Sequence, residues 1–278
     1  MKLARFETGG RTLCGVVDGD SIKVVTDTDL RDVIMNNGAV AETGETVALG
    51  DARLLAPLKP AKNVFCVGLN YQDHITEGER AIGRKLDPQE VPIFFTKPPT
   101  SVIGPEDDVL VHQAVTTEVD WEAELAVVIG RGARNISYDD ALDHVFGYTL
   151  VNDISHRDIQ MKHRQWFRGK GLDGACPIGP WIVTADEIPD PQALDVLCRV
   201  NGETKQSAST AQMIFDVRTL IESLSAGLTL EPGDILATGT PNGVGFARTP
   251  PEFLKAGDVV EVEVSGVGIL RNPVVNAD

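Results

Sequence analysis

Two glutamates, Glu122 and Glu124, stand two positions apart in Asp120-Trp-Glu-Ala-Glu-Leu-Ala-Val-Val-Ile-Gly130, just ahead of an apolar run. On a strand, side chains at i and i+2 share a face. The two would lie roughly 7 Å apart at the backbone, at ~3.3 Å rise per residue. Carboxylates that close repel unless a cation sits between them. Oxygen-only ligation suits a hard dication such as Mg²⁺, Mn²⁺ or Ca²⁺. The alternative for an isolated Glu-x-Glu is a solvated strand face. A third acid, Asp153, stands in Asn152-Asp-Ile-Ser-His-Arg-Asp158, where the apolar segment 145–152 ends. Three carboxylates plus waters make an octahedron with positions open for a substrate. Taken alone, an Asp at a strand end is also a turn former.

Three other stretches carry usable chemistry. His74 and Glu77, in Asn70-Tyr-Gln-Asp-His-Ile-Thr-Glu77, are three apart and meet on one helical turn. A carboxylate that orients an imidazole makes a general base for water; a surface His–Glu pair has the same spacing. Lys170, in Arg168-Gly-Lys-Gly171, lies in a glycine-flanked loop from which it can reach an oxyanion or a substrate carboxylate. Ala237-Thr-Gly-Thr-Pro-Asn-Gly243 is a Gly-rich turn at a strand end, whose N–H groups and Thr240 hydroxyl can hold an anionic group. A solvated lysine and an ordinary turn are the plain alternatives. There is no G-x-S-x-G, H-E-x-x-H or P-loop pattern, and Gly130-Arg-Gly132 lacks the third glycine of a dinucleotide fingerprint.

Elements must bring these groups together. Residues 1–57 read as a small N-terminal domain, with strands 12–17 and 21–25 flanking Asp18-Gly-Asp20 and a short helix at 28–35. Pro57 and Pro60 mark the boundary, and 58–278 form the larger domain. Strands are expected at 64–68, 92–98 and 145–152, and a short helix at 138–144. The segment 78–91 is polar and reads either as a mobile lid or as a solvent loop. The clearest helix spans 212–226, with Ile214, Val217, Leu220, Ile221 and Leu224 on one face. Glu231-Pro-Gly-Asp and Lys255-Ala-Gly-Asp each set a turn before a strand. The pattern predicts a β-dominated α+β fold rather than a doubly wound sheet.

Composition excludes several partners. Lys and Arg total 25 against 41 Asp and Glu, a formal charge of −16 over 278 residues. That excess argues against nucleic acid or an anionic membrane as partner, and no apolar run approaches the ~20 residues of a span. The four cysteines have no metal-site spacing and read as buried free thiols of a cytoplasmic protein.

In order, the motifs Gly68–Glu77, Glu122-Ala-Glu124, Asn152–Asp158, Gly169-Lys170, Cys176–Pro180 and Thr238-Gly-Thr-Pro241 resemble the fumarylacetoacetate hydrolase family over about residues 54–275. The resemblance implies a mixed β-roll with a small N-terminal domain, usually in a homodimer. It implies Mg²⁺ or Mn²⁺ on Glu122, Glu124 and Asp153, a water-activating dyad of His74 and Glu77, and oxyanion stabilisation by Lys170. Arg157, Gln160 and Thr240 would contact the substrate or support the metal. His156 departs from the small residue usual before that arginine. The expected activity is hydrolysis of a C–C bond in an acylpyruvate-like 2,4-dioxo acid, giving pyruvate or an analogue and a carboxylic acid. Decarboxylation of oxaloacetate or isomerisation of a hydroxyheptadienedioate are the alternatives at the same site. An inactive paralogue that binds a metal or a small acid is the alternative of another class.

Overall fold

A computed structural model describes residues 1–26, 29–86 and 89–277. Strands dominate it. Among the described residues, twelve strands join one mixed sheet. Its central order is Lys2–Thr8, Cys176–Thr184, Val145–Asn152, Ala123–Ile129, Ile235–Ala237, Val64–Gly68 and Ile93–Lys97. The leading strands Arg11–Asp18 and Ser21–Thr26 extend the sheet beyond Lys2–Thr8. A second sheet runs Glu203–Ser209, Asp195–Val200, Val259–Val264, Gly268–Asn276 and Val109–Val111.

The strand Ala123–Ile129 is buried at every residue, because both of its faces are covered. Leu125, Val127 and Ile129 enter one apolar cluster with Val196, Val262 and Leu270 of the second sheet. Ala126 and Val128 enter another, with Cys66, Val151 and Ile178. Alternation along a strand therefore puts Glu124 on the face opposite the second sheet. All four cysteines are buried free thiols. The two Gly-Asp turns are built alike, with Asp234 accepting from Glu231 N and Asp258 from Lys255 N. No described helix is long and apolar enough to cross a membrane.

Several elements differ from the sequence reading, each for a local reason. The strand starts at Ala123, so Glu122 precedes it. The N–H groups of Trp121 and Glu122 are taken by side chains, Asp120 Oδ1 at 2.8 Å and Asn152 Oδ1 at 3.1 Å. The helix expected over 212–226 spans Val217–Ser225. Its predicted first turn is held instead by Asn70, whose backbone and side-chain oxygens accept from Ile214 N and Phe215 N, both at 2.8 Å. Ile214 is exposed as a result. Only a 3₁₀ turn, Ala141–His144, forms in the predicted helix at 138–144. The first part of the expected lid, through Ile82, is the continuation of the helix Gln72–Ile82; Asp87 and Pro88 lie outside the described residues, as does Thr28 at the start of the expected N-terminal helix.

The helix Val217–Ser225 begins on Asp216, which accepts from Thr219 N at 2.8 Å. Asp216→Ala is expected to destabilise the fold by about 1 kcal/mol, the usual cost of a lost N-cap, as read by urea denaturation.

Candidate metal centre

Strand register is what gathers the acids. In the antiparallel ladder Ala123 faces Asn152 and Glu124 faces Val151. One step further along, Glu122 faces Asp153, and Asp153 N donates to Glu122 O at 2.8 Å. Like charges directly opposite on neighbouring strands destabilise a sheet. Here a third acid joins them: one carboxylate oxygen each from Glu122, Glu124 and Asp153 lies within 4.8 Å of the others, all three side chains buried.

Buried cations offset part of that charge. Lys170 Nζ donates to Glu122 Oε2 at 2.7 Å and to Asp153 Oδ2 at 2.8 Å. Lys97 Nζ donates to Asp153 Oδ1 at 2.6 Å and to Ile154 O at 3.0 Å. Arg157 Nη2 lies 2.7 Å from Glu122 Oε1, while its Nε donates to Asp120 Oδ2 at 2.8 Å. Asp120 also accepts from Gly245 N and Phe246 N. Four buried acids (Asp120, Glu122, Glu124, Asp153) thus meet three buried cations (Lys97, Arg157, Lys170), and one acid is left over.

The uncompensated group is Glu124. Burial, then the charges of Asp153 and Glu122, push its carboxyl well above the ordinary range. Burial acts on Glu122 in the same sense, but Lys170, Arg157 and His74 outweigh it and hold that carboxyl below the ordinary range. On Lys170 burial works against the charged form, and Asp153 and Glu122 outweigh it to raise its pKa. A centre of three oxygen donors short of positive charge fits a hard dication. Glu122, Glu124 and Asp153 would hold it.

The remaining residues surround one cavity of about 190 Å³, whose lining includes His74, Glu122, Arg157, Gln160, Lys170 and Thr240. His74 Nδ1 and Glu77 Oε1 are 2.9 Å apart on the helix Gln72–Ile82. A carboxylate only accepts, so Nδ1 carries the shared proton and the Nε2 lone pair is free. Gln160 Oε1 accepts from Arg157 Nη1 at 3.0 Å. Apolar walls come from Phe95, Trp166 and Phe246, and Trp166 packs edge-on to Phe95 at 5.5 Å.

The sequence reading gave the N–H groups of the Gly-rich turn to a ligand anion; two of them are instead committed to the protein's own acids. Gly239 N donates to Glu124 Oε2 and Gly243 N to Glu77 Oε2, both at 2.8 Å. Its anions are the protein's own. Gly239 has φ +97°, and an added Cβ would come within 2.8 Å of Asn70 Cβ, so only glycine lets that N–H approach Glu124.

Every residue singled out from the sequence is near this centre, with Glu77 behind His74. Lys97, Asp120 and Gln206 were missed. Lys97 ends the short strand Ile93–Lys97, where a lysine is ordinarily solvated. His156, the unusual residue before Arg157, is fully buried, and its Nδ1 donates to Gly169 O at 2.9 Å. Burial pushes its pKa down to about 4, so the ring is neutral and braces the turn that carries Lys170.

A family profile described as fumarylacetoacetate (FAA) hydrolase C-terminal matches residues 63–275. The chain belongs to the fumarylacetoacetate hydrolase family. A second profile, Rv2993c-like N-terminal, matches residues 1–57. Oxaloacetate tautomerase YisK of Bacillus subtilis is 50% identical over 228 residues, 82% of this chain and 74% of that protein. Among solved structures, fumarylacetoacetate hydrolase from Exiguobacterium antarcticum is 44% identical with a TM-score of 0.88, covering 99% of each chain. The 2-hydroxyhepta-2,4-diene-1,7-dioate isomerase from Mycobacterium marinum is 36% identical with a TM-score of 0.83, covering 100% of this chain and 99% of that one. This family member is therefore similar to enzymes of several outcomes.

If a dication takes this site, Glu124 must be ionised to bind it. Mn²⁺ binding is then expected to release a proton and to weaken as pH falls, because the proton competes for a carboxyl whose pKa is raised. Calorimetry in buffers of different ionisation heat checks both.

Proposed function

We propose that this family member is a metal-dependent enzyme that interconverts the keto and enol forms of a 2-oxo dicarboxylate such as oxaloacetate. One observation carries the reading: a base and an oxyanion-binding cation, His74 and Lys170, open onto the same small cavity as Glu122. The similarity to an oxaloacetate tautomerase supports the substrate class. Keto and enol forms differ only in the position of one proton, between the carbon next to the keto group and the keto oxygen. His74 Nε2 takes that proton from carbon and hands it to the keto oxygen, the reverse transfer restores the keto form, and Glu77 holds the ring and stabilises its charged form. Lys170 hydrogen-bonds the oxygen on which negative charge grows. Arg157 and Gln160 orient the substrate carboxylate, and the walls of Phe95, Trp166 and Phe246 keep water away. A Mg²⁺ or Mn²⁺ ion, when bound, would supply Lewis-acid polarisation of the 2-oxo acid.

Arg84 favours a dicarboxylate. It lines the cavity and has no ion-pair partner among the described residues, whereas Arg157 and Lys170 are both paired with acids. In a chain of charge −16, an unpaired guanidinium there meets the second carboxylate.

C–C hydrolysis of a 2,4-dioxo acid is the second reading, and the His74–Glu77 dyad favours it, since the same base can activate water. Scoring enol absorbance, pyruvate and CO₂ separately, with Mg²⁺ and with EDTA, separates the outcomes. With oxaloacetate, enol equilibration is expected to exceed the enzyme-free rate with no pyruvate or CO₂ above the enzyme-free control, and to fall to that rate in EDTA. Release of pyruvate from acetylpyruvate at a comparable rate would instead support hydrolysis, and no turnover of either acid would support a non-enzymatic binder. His74→Ala is expected to lower kcat/KM by about 10²–10⁴; wild-type rates in that variant would rule out His74 as the base. Arg84→Gln is expected to raise KM for oxaloacetate about tenfold while leaving acetylpyruvate, which lacks the second charge, unaffected.

A further inference from the structure

The second sheet sends one side chain into the centre from behind. Gln206, on the strand Glu203–Ser209, is 1% exposed. Its Oε1 accepts from Ala123 N at 3.0 Å, and its Nε2 donates to Thr240 Oγ1 and to Pro241 O, both at 2.8 Å. The orientation of the amide is forced. Ala123 N–H needs an acceptor and the Pro241 carbonyl needs a donor, so a flipped amide would lose both bonds. Thr240 Oγ1 in turn donates to Ala123 O at 3.1 Å.

The peptide groups on either side of Ala123 are therefore clamped, its N–H by Gln206 and its C=O by Thr240. Those two peptide groups set the spacing and the facing of Glu122 and Glu124. Thr240 is also fixed in polarity. Its proton goes to Ala123 O and one lone pair accepts from Gln206, so toward the cavity it has only an acceptor to offer.

We propose that Gln206 is a positioning residue for the metal centre. It holds the Glu-Ala-Glu backbone in the geometry that binds the ion, and it turns the Thr240 oxygen into an acceptor for a substrate O–H, such as that of an enol. The inference rests on the metal reading given above, and its test separates the two. Mn²⁺ affinity is measured directly, by calorimetry or by the loss of free-ion paramagnetic signal, on the full chain. Gln206→Met keeps the volume and removes all three bonds. The dissociation constant is expected to rise about ten- to hundredfold, the usual effect of removing a residue that orients metal ligands. Gln206→Glu keeps the acceptor for Ala123 and loses the donors to Thr240 and Pro241; it is expected to raise the constant by less, and it serves if the Met variant does not fold.

A merely structural role would lower stability without this ordering. It would also give additive effects in a double-mutant cycle with Thr240→Val, whereas the shared clamp predicts non-additivity. Mn²⁺ affinity within twofold of wild type in the folded variants, or additivity in the cycle, overturns the proposal. A wild-type chain that binds no Mn²⁺ overturns the metal reading, and this inference with it.

Discussion

Carboxylate crowding is the constraint on which the centre depends. Glu122 and Asp153 are set opposite each other by strand pairing, with Glu124 on the same face. All three are buried, and Glu122 alone of them lines the cavity. Burial alone would favour protonating these acids, and the chain counters it by bringing Lys97, Arg157 and Lys170 from three separate segments. The compensation stops one charge short. That shortfall leaves the cluster chemically suited to a cation.

The same crowding explains how the surroundings are arranged. Backbone N–H groups that could bind a substrate anion are spent on Glu124 and Glu77. Asp120 accepts three backbone N–H groups and the Arg157 Nε, and so ties that arginine to the loop at 243–246. A ligand in the cavity meets the free nitrogen of His74, the acid-paired cations Arg157 and Lys170, the Thr240 oxygen, and Arg84 two residues past the helix Gln72–Ile82. Enolisation needs little more than a base on one side of a carbon and positive charge beside an oxygen.

Much of the centre was legible in the sequence because its key spacings are local. Glu122 and Glu124 are two residues apart, His74 and Glu77 three, and each pair needs only its own backbone conformation to bring its members to one side. Asp153 was legible as the end of an apolar segment. The supports were not, because their partners are distant in the chain. Lys97 meets Asp153 across 56 residues and Gln206 meets Ala123 across 83. Nothing near either residue distinguishes it from a solvated strand position. The helix at 212–226 was overextended for a related reason: Ile214 fits the apolar period, but Asn70, far upstream, claims its backbone.

The sequence by itself determined the acid cluster, the His74–Glu77 pair, the strand-rich fold and the family, since residue types, short spacings and motif order are written along the chain. Tertiary structure alone decided which carboxyl is left without a counter-charge, which way the Thr240 hydroxyl points, and that the Gly-rich turn serves the protein's own anions. Those outcomes depend on burial and on the register of distant strands. Both are properties of the assembled sheets, and neither exists in any single segment.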